Sequence, residues 1–295
     1  MVPGSHRVVA RLLVSNRRSQ ARSGGEAERA HHQLDRRPRI GQNLTRGTGP
    51  RPVREAFALD SSHLRIRRVT DPADPAIAAF GELQERVYAD PDLLIPPQYL
   101  PVMLARQSAD RLNLMLVAEL QGRVVGGVVF HCFPPVRTGF SSFMAVAPEE
   151  RGRGLARRLH EARFAALDAA AGERGPVHGL FIDVVAPERL SPVELEQERA
   201  VGSDPVARRA IFHRLGFRRV DVAYFQPAEG SGGEPITSMD LLYCPREGAE
   251  WVETELVVGT MQAYWTPWLG RAAAERNAAE LRRRCGGERV RLLPG

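Results

Sequence analysis

The sequence predicts an α/β (α+β) fold in which helices flank one mixed, mostly antiparallel central sheet. Two observations support this prediction. Short apolar segments with the alternation or continuity of β-strands recur between residues 64 and 243. Longer segments with apolar residues at helical spacing lie between them. Together they predict the element order β-α-α-β-β-β-α-β-α-β-β.

The first half of this order begins with a strand at residues 64–69 and an amphipathic helix at 76–88. A proline-rich connection follows, with a second short helix near residues 102–106. Three strands then come in quick succession, at 114–120, 123–133 and 138–146. Gln121-Gly122 predicts a tight hairpin turn between the first two of these strands.

The second half contains a helix at 154–171, a strand at 177–185, a helix at 205–215 and strands at 218–226 and 235–243. We therefore place one domain at residues 63–245. Residues 246–295 predict a C-terminal helical extension that packs on this domain. Its aromatic stripe, which includes Tyr264 and Trp265, is more typical of packing than of a cofactor site.

Residues 1–62 predict a disordered basic tail. They hold 12 arginines and 5 acidic residues, so 12 − 5 gives them a net charge of +7. The whole chain has a net charge of +6, so the rest of the chain is nearly neutral. The chain contains no lysine, which favours a codon bias over a nucleic-acid surface as the source of this charge. After Met1 the next methionine is Met103, so a translation start at a later codon within the tail stays an alternative.

Several classes of protein are not expected from the composition. No apolar run approaches the roughly 18 residues that a membrane span needs. The three cysteines, Cys132, Cys244 and Cys285, are far apart and form no zinc pattern, so we expect no metal. Reduced cysteines favour a cytoplasmic protein.

The most informative segment joins the strand that ends at Val146 to the helix that follows it. Arg151-Gly152-Arg153-Gly154-Leu155-Ala156 places two glycines in a turn at the start of this helix. Such a turn gathers backbone N–H groups, and the helix N-terminus adds about half a positive charge. The segment predicts a site for phosphate or pyrophosphate, although it contains neither a Walker lysine nor a dinucleotide fingerprint.

The spacing of Arg151, Gly154 and Ala156 resembles the acetyl-CoA motif of the GNAT superfamily of N-acetyltransferases. The resemblance implies that the loop, Arg151 through Ala156, binds the CoA pyrophosphate. It also implies that the backbone of the preceding strand, at Met144, Ala145 and Val146, pairs with the pantetheine arm.

A second segment, residues 210–217, resembles another motif of the family, an aromatic residue followed after three residues by Gly-Phe. The aromatic position is often tyrosine in the family, where it protonates the departing CoA thiolate. Here it is Phe212, which has no proton to give, so that role does not carry over. Phe212 can still pack against the cofactor. The resemblance spans roughly residues 64–245.

Two residues are candidates for proton transfer. Asp183 is a lone carboxylate inside an apolar run, which indicates either function or a local hydrogen bond. Tyr224, on the sixth predicted strand, is a substitute acid or a half-buried core residue. Ser141 and Ser142 are weaker candidates for contact with an acceptor, and His131 has no partner visible in the sequence.

These observations leave three hypotheses. The first is an enzyme that transfers an acetyl group from acetyl-CoA to an amine by direct attack, with a small-molecule or peptide acceptor and no metal. The second, favoured by Phe212, is a non-catalytic acyl-CoA sensor. The third adds a nucleic-acid role for the tail. A homodimer is compatible with each of them.

Overall fold

The computed structural model describes residues 64–88, 97–200, 204–228 and 234–294. The predicted basic tail, residues 1–62, lies outside the described residues. Within these ranges there are nine strands: β1 (Leu64–Arg68), β2 (Leu112–Leu120), β3 (Arg123–Phe133), β4 (Thr138–Val146), β5 (Gly179–Val185), β6 (Arg218–Val220), β7 (Met239–Pro245), β8 (Trp251–Glu253) and β9 (Arg289–Leu293). The same ranges hold seven α-helices: α1 (Ala76–Val87), α2 (Tyr99–Ala105), α3 (Leu155–Ala171), α4 (Pro192–Ala200), α5 (Pro205–Arg214), α6 (Thr254–Leu269) and α7 (Arg271–Cys285).

The strands form one sheet in the order β1-β2-β3-β4-β5-β7-β6-β9-β8. The β4–β5 pair is parallel, and the other neighbouring pairs are antiparallel. A parallel pair needs a crossover connection, and α3 provides it. The predicted fold class, a mixed and mostly antiparallel sheet flanked by helices, is confirmed.

The parallel seam between β4 and β5 is short. Its register contains three residue pairs, from Thr138–Gly179 to Phe140–Phe181, after which the two strands separate. The β3–β4 register passes from Phe130–Ser141 to Val129–Phe143, so Ser142 is an extra residue that bulges from β4. Bulges redirect side chains and are common beside functional sites. Here the bulge lies at the start of the gap between β4 and β5.

Helices cover both faces of the sheet. A Cβ on Gly127 would lie 2.7 Å from the ring of Phe80 in α1, whereas a Cβ on Gly126 would lie 3.3 Å from Leu155 and Leu159 in α3. Consecutive strand residues point to opposite faces, so α1 and α3 lie on opposite sides of β3. The helix α6 shares the α1 face, because it contacts Thr138, the partner of Phe133 in the β3–β4 register.

The structure differs from several sequence predictions, and α4 (Pro192–Ala200) is a helix that the predicted order lacks. The predicted strand at 218–226 ends at Val220, because the N–H groups of Val222 and Tyr224 bond to carbonyls two residues back and interrupt the ladder. Tyr224 therefore lies beyond β6 rather than on it. The C-terminal segment also contains β8 and β9 beside its two helices, and β9 extends the sheet next to β6.

Within the described part of the chain, no helix combines the length and the apolar character that crossing a bilayer requires.

Arg163, in the middle of α3, is fully buried. Its guanidinium donates to Ser141 Oγ at 2.8 Å and contacts His160 Nδ1 at 2.6 Å, while its Nε has no hydrogen-bond partner. Burial lowers the pKa of Arg163 to about 9. No carboxylate pairs with it among the described residues, so the charge is buried without a counter-ion.

A buried, incompletely bonded group costs about 1–3 kcal/mol, so Arg163→Met is expected to leave the free energy of unfolding unchanged or raised. Urea denaturation measures this quantity. Leu167→Ala, which truncates a fully buried side chain on the same helix, is the control and is expected to lose about 2–5 kcal/mol. A loss of similar size in Arg163→Met would contradict the expectation.

Candidate active site

The loop from Arg151 to Gly154 connects β4 to α3 through a short 3-10 turn, Pro148–Glu150. Gly152 and Gly154 have φ values of 77° and 80°, and a Cβ on either would meet no atom within 4 Å. Backbone conformation, rather than crowding, therefore favours glycine at both positions. Arg151 and Arg153 lie on the exposed surface of this loop.

Successive N–H groups of this loop are available to a ligand. The first bond of α3 runs from Arg158 N to Gly154 O at 3.1 Å, so the amides of Leu155, Ala156 and Arg157 precede it. Among the described residues, the amides of Gly152, Arg153 and Gly154 donate to no backbone carbonyl. A row of such amides at a helix N-terminus is suited to bind an anion.

The edge of β4 that faces the gap ends just before this loop begins. Ala147 N donates to Val125 O of β3 at 2.9 Å. Alternate residues point their backbone groups to the same side, so Ala145 also faces β3 while Met144 and Val146 face away from it. Two side-chain bonds support this orientation: Tyr88 Oη donates to Met144 O at 3.1 Å, and Arg151 Nε donates to Val146 O at 3.3 Å. The N–H groups of Met144 and Val146 therefore point into the gap.

A carboxylate lies on the opposite side of the gap, on β5. Asp183 follows Phe181 by two residues and so shares the face of Phe140, which is the α6 face. Tyr224 Oη donates to Asp183 Oδ2 at 3.0 Å. Burial raises the pKa of Asp183 to about 6, against the opposing effect of this hydrogen bond. The group is therefore mostly ionised at neutral pH and close to the pKa that suits a general base.

A hydrogen-bonded chain lies behind the bulge of β4. Ser142 Oγ lies 2.9 Å from His131 Nε2, and His131 Nδ1 lies 2.7 Å from Asn113 Oδ1. These distances resemble those of a nucleophile, base and orienting residue. However, Arg111 lies 3.1 Å from the same Nδ1.

The charge of Arg111 argues against a nucleophilic Ser142. Burial and then Arg111 lower the pKa of His131 well below its usual range, so the imidazolium that a base must form is disfavoured. The neutral imidazole instead holds the Ser142 hydroxyl in place. The hydrogen bonds from Asn113 through His131 to Ser142 therefore position Ser142 beside the gap.

The family model described as an acetyltransferase (GNAT) domain matches residues 111–219. The chain carries a GNAT acetyltransferase domain. The match includes β2 to β5, the loop before α3 and the α5–β6 connection. The resemblance predicted from residues 151–156 and 210–217 is thus confirmed.

Several solved structures are similar to this chain. The ribosomal-protein-S18-alanine N-acetyltransferase from Escherichia coli shares 16% identity, with a TM-score of 0.39, over 63% of this chain and 96% of that chain. The IAA acetyltransferase from Bacillus cereus ATCC 14579 shares 16%, with a TM-score of 0.38, over 62% and 99%. An aminoglycoside acetyltransferase from an uncultured soil metagenomic sample shares 19%, with a TM-score of 0.34, over 48% and 88%. A search of curated protein sequences found no match.

The second motif of the GNAT domain ends α5. Gly216 has a φ of 95°, and Phe217 N donates to Phe212 O at 3.0 Å, which closes the helix end. The ring of Phe212 is part-buried and packs edge-on against Phe217, with centroids 5.5 Å apart. The aromatic position of the motif is therefore a packing contact without a hydroxyl.

Three residues near the gap in this GNAT domain received no firm role from sequence reasoning: Ser142, His131 and Tyr264. The bulge that turns Ser142 towards His131 leaves no signal in the residue pattern. Tyr264 lies in α6, outside the matched domain, and its signal was present as an aromatic residue in the helical stripe. Within the described ranges, no group of three or more His, Cys, Asp or Glu residues could hold a metal ion.

Proposed function

We propose that this protein is an N-acetyltransferase that moves an acetyl group from acetyl-CoA to an amine acceptor by direct attack. One observation carries the proposal: a carboxylate with a raised pKa lies beside the same gap that the anion-binding loop opens into. The loop supplies a site for a diphosphate at one end of the β4 edge. Asp183 supplies a base near the other end.

The donor would be held chiefly by backbone groups. The amides from Gly152 to Ala156 would bind the pyrophosphate, with Arg151 adding positive charge at the surface, whereas Arg153 pairs with Glu150 at 2.9 Å. Met144 and Val146 offer their N–H groups to the amides of the pantetheine arm. Val146 follows Ser142 by four residues along β4, a span of about 13 Å at roughly 3.3 Å per residue. This span separates the loop from the region where the acyl group would react.

The acceptor amine needs a base more than the thioester needs an acid. A primary ammonium with a pKa of about 10.4 is mostly protonated at neutral pH, which costs about 4–5 kcal/mol. As the nitrogen attacks the carbonyl carbon, its proton becomes acidic and passes to Asp183, directly or through one water. The thiol of the donor, with a pKa of about 8.5, leaves without complete protonation.

Tyr224 acts on Asp183 in this proposal. Its side chain is 2% exposed, and its hydroxyl already donates to the carboxylate. We therefore assign it to position Asp183 rather than to protonate the leaving group. The geometry does not favour the alternative role as a substitute acid.

The experiment is an acceptor screen with acetyl-CoA that follows thiol release. Small amines, amino acids, aminoglycosides and peptides with free N-termini or lysines form the panel. Thiol release that depends on the acceptor, with an acetylated product in mass spectrometry, supports the enzyme. Acetyl-CoA binding without turnover on any acceptor would favour the sensor, the alternative to which Phe212 points.

We also place the reaction in the cytoplasm. The three cysteines are free, and Cys132 and Cys244 are buried, which fits a reducing compartment.

A further inference from the structure

The helix α6 brings a tyrosine from outside the residues that the GNAT family model matches to the end of the β4–β5 seam. It is held at two points: Thr260 Oγ1 lies 2.7 Å from Thr138 Oγ1 of β4, and the ring of the fully buried Trp265 lies near that of Phe225, with centroids 5.9 Å apart. Tyr264 lies between these anchors in the sequence and is part-buried.

A proline in the last turn of α6 explains how Tyr264 is held. Pro267 has no N–H, so it cannot donate to the carbonyl of Ala263 four residues earlier. Arg111 supplies the missing donor: its NH1 contacts Ala263 O at 3.3 Å and Tyr264 O at 3.1 Å. Burial lowers the pKa of Arg111 to about 10, so the guanidinium stays charged at neutral pH. This clamp fixes the backbone of Tyr264 to the start of β2.

The ring of Tyr264 is fixed as firmly as its backbone. It stacks on Phe140, the last β4 residue of the parallel seam, with centroids 3.8 Å apart. Its ring centroid also lies 5.8 Å from that of His131, whose Nε2 lies 2.9 Å from Ser142 Oγ. The ring of Tyr264 therefore lies where β4 and β5 separate, and burial and then Asp183 raise the pKa of its phenol while Ser142 lowers it.

We propose that the Tyr264 hydroxyl donates a hydrogen bond to the CoA thiolate as it leaves, the role for which residue 212 has no hydroxyl. This inference rests on the proposed function, because it needs a thioester in the gap. It makes the C-terminal segment part of the active site.

The chemistry requires a hydrogen bond and no transfer of the phenol proton. Burial and Asp183 both raise the pKa of Tyr264, so its proton is held much more tightly than that of a thiol with a pKa of about 8.5. The C–N bond forms, the amine proton goes to Asp183, and the electron pair of the broken C–S bond stays on sulfur. The thiolate is stabilised by the hydroxyl and takes its proton from water after release.

The test is Tyr264→Phe, which keeps the ring stacked on Phe140 and removes only the hydroxyl. The variant is expected to lower kcat about 100-fold, the typical cost of one donor to a developing charge, with KM for acetyl-CoA changed by less than about threefold. Tyr243→Phe is the matched control. It removes a buried tyrosine hydroxyl that donates to His178 O at 3.0 Å, outside the proposed site, and should keep the wild-type kcat.

A leaving-group series separates this role from a structural one. Acetyl thioesters of an alkyl thiol and of a more acidic aryl thiol are compared in both proteins. The deficit of Tyr264→Phe should shrink with the aryl thioester, whose thiolate needs less stabilisation. An equal deficit for both thioesters, or an unchanged kcat with acetyl-CoA, would overturn the inference. Absence of turnover in the wild-type protein would instead refute the proposed function.

Discussion

Asp183→Asn is expected to lower kcat about 100- to 10,000-fold, the range that a general base contributes. The asparagine keeps the size of the side chain and can still accept the hydroxyl of Tyr224, but it cannot take a proton from the amine. In the wild-type protein, kcat/KM should rise with pH through about 6 as Asp183 ionises. This rise of kcat/KM with pH should be absent from the variant. Rates measured from about pH 5 to 9 with a fixed acceptor test both expectations.

Stability gives an independent measurement on the same variant. The pKa of Asp183 is raised in the folded protein, so the folded state binds its proton more tightly than the unfolded state does. The contribution of Asp183 to stability is therefore most favourable below its unfolded pKa, about 3.9, and declines as the pH rises through about 6. Asp183→Asn should lack this decline and be at least as stable as wild type at neutral pH.

Asp240→Asn is the matched control for the Asp183 variant. Asp240 is a buried carboxylate on β7 that pairs with Arg189 and Arg209 at 2.9 and 2.7 Å, on the opposite face of the sheet from Asp183. Loss of the Asp240 charge should lower the melting temperature. The rise of kcat/KM with pH near 6, which we attribute to Asp183, should remain. An unchanged rate and pH profile in Asp183→Asn would remove Asp183 from the mechanism.

Gly154→Glu is expected to weaken CoA binding by at least about 100-fold. The substitution places a carboxylate at the row of amides that would bind the pyrophosphate, and like charges in contact cost several kcal/mol. It also forces a side chain onto a residue with a φ of 80°, which costs about 1–2 kcal/mol. Isothermal titration calorimetry with CoA measures the affinity.

Two controls separate charge from backbone strain. Gly154→Ala carries the strain without the carboxylate and should lose little affinity. Gly122→Glu places the same side chain at a φ of 79° in the β2–β3 hairpin, where a Cβ would also meet no atom within 4 Å. It should bind CoA as wild type does. Normal affinity in Gly154→Glu would show that the loop does not hold the donor.

The parts of the site that depend on local chain chemistry could be predicted from the sequence. The loop at 151–154 was predicted because glycines between a strand and a helix N-terminus let backbone amides converge on an anion. Asp183 was predicted as a candidate because a lone carboxylate in an apolar run is costly unless it is used or bonded. The fold class followed from the order of periodic segments.

The remaining residues depend on contacts between distant segments. Ser142 faces His131 only because one residue bulges from β4, and a bulge leaves the apolar pattern of the strand intact. Tyr264 is 153 residues from Arg111, and no spacing rule connects them. The strand β6 ends earlier than predicted for a different reason. The N–H groups of Val222 and Tyr224 bond to carbonyls two residues back, and these local hydrogen bonds replace the strand pairing that the composition favoured.

The three-pair seam between β4 and β5 also has a mechanical consequence. The sheet consists of two parts, β1–β4 and β5–β9, which are joined by these three residue pairs. The helix α6 contacts the sheet beside this seam. A molecule bound in the gap would contact both parts of the sheet and connect them. Ligand present at about 100 times its dissociation constant adds about 2.7 kcal/mol to stability. Bound donor would thus stabilise the relative position of β4, which carries Ser142, and β5, which carries Asp183, before an acceptor binds.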